Sequence, residues 1–289
     1  MFDQTQRDKS LKPYTLAFPR ELDVERVVAW LDTTSGSLRP KMPSLFGSPT
    51  MVFELWGTDA GFTYRLLVPW QHADYIVAQL RSMIPGIHVV PDEQYPRRRW
   101  TKAVEIGLKV PQRQLSIPNP ADASASLLAS IGTLESGEAT VIQWVITPAT
   151  RNHPPLQGET RTAHFNLGHL LLGKVEASSD EVNDRRDKLR EPNMQAVLRV
   201  AAHANTNERA KHLIFNVKRS MSARASAGTS FTKRFATLSD LQKRIDNASA
   251  PMHFPMHLSL TELASLIAWP LGGPQIAGLP PAVARHIPP

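Results

Sequence analysis

The amino-acid sequence predicts an α+β fold in which one order of elements, strand–helix–strand–strand–helix–strand, occurs twice. Three observations lead to this prediction. Apolar and polar residues alternate over short segments, apolar residues recur at helical spacing between those segments, and proline or glycine marks the boundaries. The first pass through this order covers residues 14–91, and the second covers residues 101–235 with a polar insertion inside it.

The elements of the first pass are recognised by changes in the spacing of apolar residues along the sequence. Val24, Val27, Val28 and Leu31 recur at the spacing of one helix face, whereas the segments around them alternate with a period of two, as strands do. The predicted elements are a strand at 14–18 ended by Pro19, a helix at 22–31, strands at 51–56 and 62–68 joined by a hairpin turn at 57–61, a helix at 73–84 and a strand at 87–90.

The second pass repeats this order and is interrupted once. Its predicted elements are a strand at 104–108, a helix at 123–131, strands at 139–146 and 196–202, a helix at 205–221 and a strand at 230–235. Asn205 and Glu208 have the spacing of a helix-capping pair. The insertion, residues 151–192, contains a polar loop, an apolar piece at 165–172 and a charged helix at 181–190.

This order of elements is the split βαβ, or ferredoxin-like, motif, in which both helices lie on one face of a four-stranded antiparallel sheet. The sequence therefore predicts two tandem ferredoxin-like units followed by a short helical connector. The expected boundaries are 1–99 for the first unit, 100–236 for the second with its inserted arm at about 151–192, and 237–289 for the connector and a Pro/Gly-rich tail. In the connector, Ser259 and Glu262 have the spacing of a capping box.

Composition limits the class of protein. The chain has 289 residues, of which 42% are hydrophobic and 20% are charged, a balance typical of globular domains. It has no cysteine, so disulfides, thiolate metal sites and a cysteine nucleophile are excluded, and a reducing compartment fits. We expect no signal peptide and no transmembrane segment, because the longest apolar stretch, 258–271, is shorter than the ~20 residues that a membrane span needs.

The net charge of +7 and the pI near 9.8 favour acidic partners such as nucleic acid or anionic lipid headgroups. The basic residues are dispersed along the chain. The densest cluster is Arg97, Arg98 and Arg99, for which a solvated junction between the two units is the simpler interpretation.

Motifs for catalysis or cofactor binding are incomplete. Residues 168–174 satisfy G-x-x-x-x-G-K, but Val175 stands where a serine or threonine would bind magnesium, so we interpret the match as chance. His253 and His257 are four residues apart, yet flanking prolines argue against a helix that would bring them together around a metal. The sequence therefore predicts no catalytic, cofactor-binding or metal-binding residue.

One sharper hypothesis is single-stranded nucleic-acid binding in the manner of an RNA-recognition motif. In the third strand Gly61, Phe62 and Tyr64 match that motif, whereas its leading basic residue, its small residue, its valine and its last aromatic are absent. Phe62 and Tyr64 share one face and could stack on bases, unless that face packs against the helices or against the other unit. The residues assigned to nucleic-acid contact in this second hypothesis are Phe62, Tyr64, Arg97, Arg98 and Arg99.

Two later segments resemble a known family. Lys188–Gln195 leads into the strand 196–202, and 260–274 is followed by Gly278-Leu279-Pro280 and by Arg285–Pro289. Both segments are similar to the amino-terminal, non-ATPase region of conjugative DNA-transfer ATPases of type IV secretion systems, of the actinobacterial type. The resemblance covers most of the chain loosely and residues 185–289 best.

The resemblance implies an accessory, non-catalytic role in plasmid conjugation. The family's Walker motifs, which bind ATP and magnesium, belong to a domain downstream of such a connector, and none of them maps onto this chain. The implied partners are other type IV secretion subunits, further copies of the chain, and the transferred DNA. The implied location is the cytoplasmic face of the inner membrane, although this chain departs from the family pattern in lacking a transmembrane anchor.

Overall fold

The computed structural model of the chain describes residues 11–39, 49–93, 95–149, 188 and 192–280. Nine strands are present in these residues: β1 (Leu11–Ala17), β2 (Met51–Thr58), β3 (Gly61–Pro69), β4 (His88–Pro91), β5 (Lys102–Leu108), β6 (Ala139–Pro148), β7 (Asn193–His203), β8 (Phe231–Arg234) and β9 (Met256–Ser259). The same residues form six helices: α1 (Val24–Leu38), α2 (Ala73–Met83), α3 (Pro120–Ala129), α4 (Asn207–Ser222), α5 (Leu238–Asp246) and α6 (Leu260–Leu266).

All nine strands belong to one antiparallel sheet with the order β4-β1-β3-β2-β6-β7-β5-β8, and β9 pairs with β7 beside this path. The two passes meet at the centre of the sheet. There β2 pairs with β6 from Met51 opposite Ile146 to Thr58 opposite Ala139. The predicted α+β class is confirmed, and the two passes share one continuous sheet.

One face of the sheet packs against α1, α2, α3, α4 and α6. Alternate strand residues point toward these helices, and side chains such as Phe53, Leu66, Trp144 and Leu198 are completely buried there. Because side chains alternate across a strand, this single face accounts for every second residue of the sheet. Removing this apolar surface from water is the main driving force for assembling the helices on the sheet.

An aromatic cluster lies at the centre of this core. Trp30 of α1 stacks on Trp269, with ring centroids 5.4 Å apart and an interplanar angle of 24°. Phe53 of β2 and Phe18 also contact Trp269, at centroid distances of 5.5 Å and 4.9 Å. Trp269 follows α6, so a residue from the predicted connector completes the core of the first pass.

The described part of the predicted connector, residues 237–280, is not a free linker. Leu271 forms a parallel bridge with Leu22, and the amide of Phe62 donates a 2.7 Å hydrogen bond to the carbonyl oxygen of Gly278. Glycine is needed for this close docking. Gly273 has a φ of +66°, and a Cβ there would lie 2.5 Å from the carbonyl oxygen of Arg20. The Pro/Gly-rich composition therefore reflects close backbone packing.

The predicted capping residues have different outcomes. The capping box of Ser259 and Glu262 at the start of α6 is confirmed. The predicted Asn205 cap is wrong, because the side chain of Thr206 caps α4 by accepting a hydrogen bond from the amide of Arg209. The predicted apolar piece 165–172, the G-x-x-x-x-G-K segment and the helix 181–190 lie outside the described residues, except that Lys188 is described.

Replacing Trp269 by alanine should lower the free energy of unfolding by about 3–5 kcal/mol, because the change removes a buried indole and leaves a cavity between α1 and β2. Urea unfolding monitored by circular dichroism measures this loss. Met252→Ala, at an exposed position, is the control and should change stability by less than about 0.5 kcal/mol. Equal stability of the two variants would show that Trp269 is not part of the core.

Candidate functional site

The second face of the sheet is covered by two chain segments. Residues 92–93 and 95–100 lie over it after β4, and α5 with residues 247–254 crosses it after β8. They enclose two apolar clusters, one formed by Trp56, Trp100, Ala139, Val141, Ala201 and Ile245, the other by Val52, Leu67, Val145, Val197 and Ala248 with Tyr95 and Phe254. The face that a base-binding sheet would expose is thus largely occupied by the chain itself.

A row of polar side chains crosses the sheet between these two clusters. The strand register places Glu54 opposite both Arg65 and Gln143, and it continues from Gln143 through Arg199 to Glu105. We call this set the polar row; it consists of Arg65, Glu54, Gln143, Arg199, Glu105 and Arg234. Its four central members, from Glu54 to Glu105, are buried.

Glu54 is the centre of the row in the first pass. One carboxylate oxygen, Oε1, accepts hydrogen bonds from the Tyr95 hydroxyl at 2.6 Å and from Nε2 of Gln143 at 2.7 Å. The other, Oε2, accepts from Nε1 of Trp56 at 2.8 Å. Burial raises the pKa of the Glu54 carboxyl above its usual value, although these three donors oppose the shift. Burial and the adjacent Glu54 charge raise the pKa of Tyr95 as well.

Arg199 is the corresponding centre in the second pass. Its guanidinium donates to Oε2 of Glu105 at 3.0 Å and to Oε1 of Gln143 at 3.1 Å. It also donates to the carbonyl oxygens of Arg244 and Ser249, at 3.1 Å and 2.6 Å, which ties the end of α5 to the sheet. A buried charge needs such complete pairing, because an unpaired ion in the interior is strongly destabilising. The polar row therefore fixes the covering segments in place.

The structure places Phe62 and Tyr64 on the helix-covered face, where both are buried. Phe18 packs edge to face on Tyr64 at a centroid distance of 5.0 Å, and the Phe62 amide donates a hydrogen bond to the carbonyl oxygen of Gly278. A base could stack on either ring only if this packing were displaced. The expected base-stacking platform is therefore corrected: a two-residue alternation shows that the rings share a face but not which face it is.

The arginine cluster lies on the other side of the sheet from these rings. Arg97 and Arg99 are exposed, whereas Arg98 is half-buried and donates from Nη2 to the carbonyl oxygen of Gly137 at 2.5 Å. The carbonyl oxygen of Arg98 accepts from Nε2 of Gln242 in α5 at 2.7 Å. The five residues assigned to nucleic-acid contact are therefore not brought together, and the cluster belongs to the first of the two segments that cover the second face.

A buried ion pair marks the point where the chain re-enters the sheet before β7. Nζ of Lys188 lies 2.9 Å from Oε2 of Glu262 and donates to the carbonyl oxygen of Arg113 at 2.7 Å. Glu262 also accepts from the amide of Leu115 at 2.6 Å. Burial lowers the pKa of Lys188, and the Glu262 charge opposes that shift. Next to this ion pair, β7 pairs with β9, and Asn193 lies opposite Ser259.

The two ends of the sheet are its most exposed apolar regions. Within the described residues, β4 pairs only with β1 and β8 only with β5, so each has an open hydrogen-bonding edge. Exposed large apolar side chains lie at both ends: Val90 belongs to β4, Phe235 directly follows β8 and Leu238 begins α5. Elsewhere, Trp70 follows β3, Tyr75 lies in α2 and Met252 lies in the turn before β9, and these three are exposed as well. Open edges and exposed apolar groups are the features by which proteins pair with other chains.

The described residues also form two surface grooves. One, of 430 Å³, lies between α1 and α6 and includes Val24, Val28 and Leu260 in its walls. The other, of 370 Å³, lies between residues 18–20 and 273–280. Over the same part of the chain, no group of three His, Asp or Glu residues is arranged to bind a metal. His253 lies in the turn before β9, and His257 lies within β9.

None of the helices in the described ranges has both the length and the hydropathy to span a bilayer. A scan against protein-family models gives no match for this chain, and a search of curated proteins likewise gives none.

Replacing Arg199 by methionine should lower the free energy of unfolding by about 3–5 kcal/mol, because the change breaks the buried ion pair with Glu105 and removes a donor to Gln143 and to the carbonyl oxygen of Ser249. Urea unfolding measures the effect. Arg26→Met is the matched control, because Arg26 forms an exposed 3.8 Å pair with Asp23 that should contribute less than about 1 kcal/mol. A cost for Arg199→Met no larger than that of the control would contradict the role assigned to the polar row.

The pH dependence of stability should show the raised pKa of the Glu54 carboxyl. Its folded pKa is raised, so the folded state holds a proton that the unfolded state releases, and stability falls as pH rises from the usual value of 4.5 through the folded pKa. Glu54→Gln cannot titrate. The free energy of unfolding of the natural chain, minus that of Glu54→Gln, should therefore be more favourable at acidic than at neutral pH. A difference that grows toward neutral pH would show a lowered pKa.

Proposed function

We propose that this chain is a non-catalytic assembly and docking region of a conjugative DNA-transfer ATPase, built from two tandem ferredoxin-like units. The strand order supports the two units. From the outer edge inward, the first pass has the order β4-β1-β3-β2 and the second has β8-β5-β7-β6. In both, the fourth strand is outermost and the second strand is innermost, with one helix after the first strand and one after the third.

The single observation that favours docking is the exposure at the two ends of the sheet. The second face is covered by the chain itself, and the helix-side face forms the core, so the open edges of β4 and β8 are the parts of the sheet that remain available. Phe235, the residue directly after β8, is completely exposed, and Leu238, the first residue of α5, is 40% exposed. Solvent-exposed apolar side chains next to an unpaired strand favour contact with another protein chain.

The contact between the two resembling segments supports the family assignment within this proposal. Lys188 belongs to the first segment and Glu262 to the second, and their side chains form the buried 2.9 Å ion pair. The strands next to them, β7 and β9, are paired. If both segments belong to one structural feature of that family's amino-terminal region, they are expected to contact each other. In this structure they do.

In this proposal the chain acts at the cytoplasmic face of the inner membrane. Its partners are other type IV secretion subunits or further copies of itself, and ATP and magnesium are bound by a separate ATPase domain. The alternative of a nucleic-acid-binding module based on Phe62 and Tyr64 is not retained, because both rings are in the core.

A conjugation assay tests the docking role. In a donor cell, the double substitution Phe235→Asp and Leu238→Asp should lower DNA-transfer frequency about tenfold or more, because charged groups replace apolar contacts at the β8 end. The protein level, measured by immunoblot, should not change. Ala29→Asp with Ala227→Asp, at exposed positions outside this end, adds the same charge as a control. Normal transfer after deletion of the whole chain would contradict the proposal.

The purified chain should show no magnesium-dependent ATP hydrolysis above the buffer blank, because the proposal assigns nucleotide chemistry to another domain. A coupled phosphate-release assay measures the rate. Turnover that co-purifies with the chain and is lost in Lys174→Ala would instead assign nucleotide chemistry to the G-x-x-x-x-G-K segment.

A further inference from the structure

The outward face of α4 differs from the other helix surfaces. The inward side chains of this helix, including Leu213, Ile214 and Val217, are buried against the sheet. On the opposite side Phe215 is 58% exposed, although an aromatic ring in water is costly and α4 has a buried apolar stripe that could have held it. An exposed phenylalanine on an otherwise polar helix face is a feature that folding alone does not require.

Basic side chains surround this ring. Lys211 and His212 lie four and three residues before Phe215, and Lys218 and Arg219 lie three and four residues after it. On a helix these four positions are the nearest neighbours of Phe215 along the surface. We call these five residues the α4 basic face. It presents one flat apolar ring between two pairs of nitrogen-bearing side chains.

The charge of α4 is concentrated on this face. The helix has four Lys and Arg residues and one Glu, a net charge of +3, whereas the whole 289-residue chain has +7. Lys211 forms an exposed 2.6 Å pair with Glu208, and such pairs exchange readily with other partners. Arg209 lies outside the α4 basic face and forms a 2.9 Å ion pair with Glu138. Among the described residues, no carboxylate forms an ion pair with Lys218 or Arg219.

We propose that the α4 basic face binds single-stranded nucleic acid. Lys211, Lys218 and Arg219 contact phosphates, and a base stacks on Phe215. Proteins that bind single strands without sequence preference combine these two elements, a positively charged track and an aromatic ring that any base can cover. The site is distinct from the sheet face and from the β8 end, so this inference does not depend on the docking role.

Nucleic acid is favoured over a lipid surface by the shape of the face. A helix that lies in a membrane interface buries a continuous apolar stripe below the headgroups. The apolar stripe of α4 is already buried on the sheet, and Phe215 is its only exposed large apolar side chain. An acidic protein surface would also match this ring and these charges; failure of the oligonucleotide to bind at the lowest salt concentration would favour it.

Fluorescence anisotropy with a labelled oligothymidylate about 20 nucleotides long tests this proposal. Between about 50 mM and about 200 mM salt, the logarithm of the association constant should fall with a slope near −2, because about three phosphates are neutralised at ~0.7 each. Phe215→Ala should weaken binding about tenfold with the slope unchanged, since only stacking is lost. The double substitution Lys218→Ala and Arg219→Ala should make the slope shallower by about 1.4.

Matched controls remove similar groups elsewhere on the surface. Tyr75→Ala deletes another exposed aromatic ring, and Arg26→Ala with Lys243→Ala deletes two exposed charges. These controls should leave the affinity within about twofold of the natural chain. Circular dichroism confirms folding of each variant, which is expected because every substituted side chain is at least partly exposed.

Three results would overturn the proposal. The first is no binding at the lowest salt concentration. The second is an oligonucleotide affinity that Phe215→Ala does not change, or an affinity for heparin equal to that for the oligonucleotide. Because heparin has charge but no bases, either result would mean that the face attracts any polyanion. The third is that phosphatidylserine vesicles compete fully with the oligonucleotide and bind more weakly to Phe215→Ala, which would assign the face to a membrane surface.

Discussion

The pairing of β2 with β6 is the contact on which the rest of the structure depends. It joins the two passes in a register that places Glu54 opposite Gln143, and from there the polar row continues to Arg65 on one side and Arg199 on the other. A shift of one residue would turn every side chain of one pass to the opposite face. Buried charges would then meet the helix core, so the row and the two apolar faces specify the register together.

This constraint determines which surfaces remain free. Helices α1–α4 and α6 cover one face, and residues 92–93 and 95–100 with α5 cover the other, where Glu54 and Arg199 form hydrogen bonds with them. The C-terminal segment through Trp269 closes the core of the first pass. Among the described residues, the two sheet ends and the outer side of α4 carry exposed large apolar side chains. The proposed roles, protein docking at the ends and nucleic-acid contact at α4, use separate surfaces of one body.

The local sequence pattern predicted the helices and strands, whereas the strand register and the docking of the C-terminal segment depend on non-local packing. Alternation and helical spacing predict every strand and helix of both passes, because these periods follow from backbone geometry. The lone polar residues in apolar strands, Glu54, Gln143 and Arg199, were visible in the sequence, but their alignment depends on a register between distant strands. The Gly/Pro-rich segment 270–280 has the composition of a linker, and its positive φ angles and close contacts exist only in the folded chain.

Native-state hydrogen exchange tests most directly whether the two passes form one body. If β2 and β6 are the shared centre, their amides should exchange only through global unfolding, with a free energy equal to that from urea unfolding, and β3 and β7 should share that value. Two separate free energies, one for the strands of the first pass and another for those of the second, with rapid exchange along β2 and β6, would contradict the account.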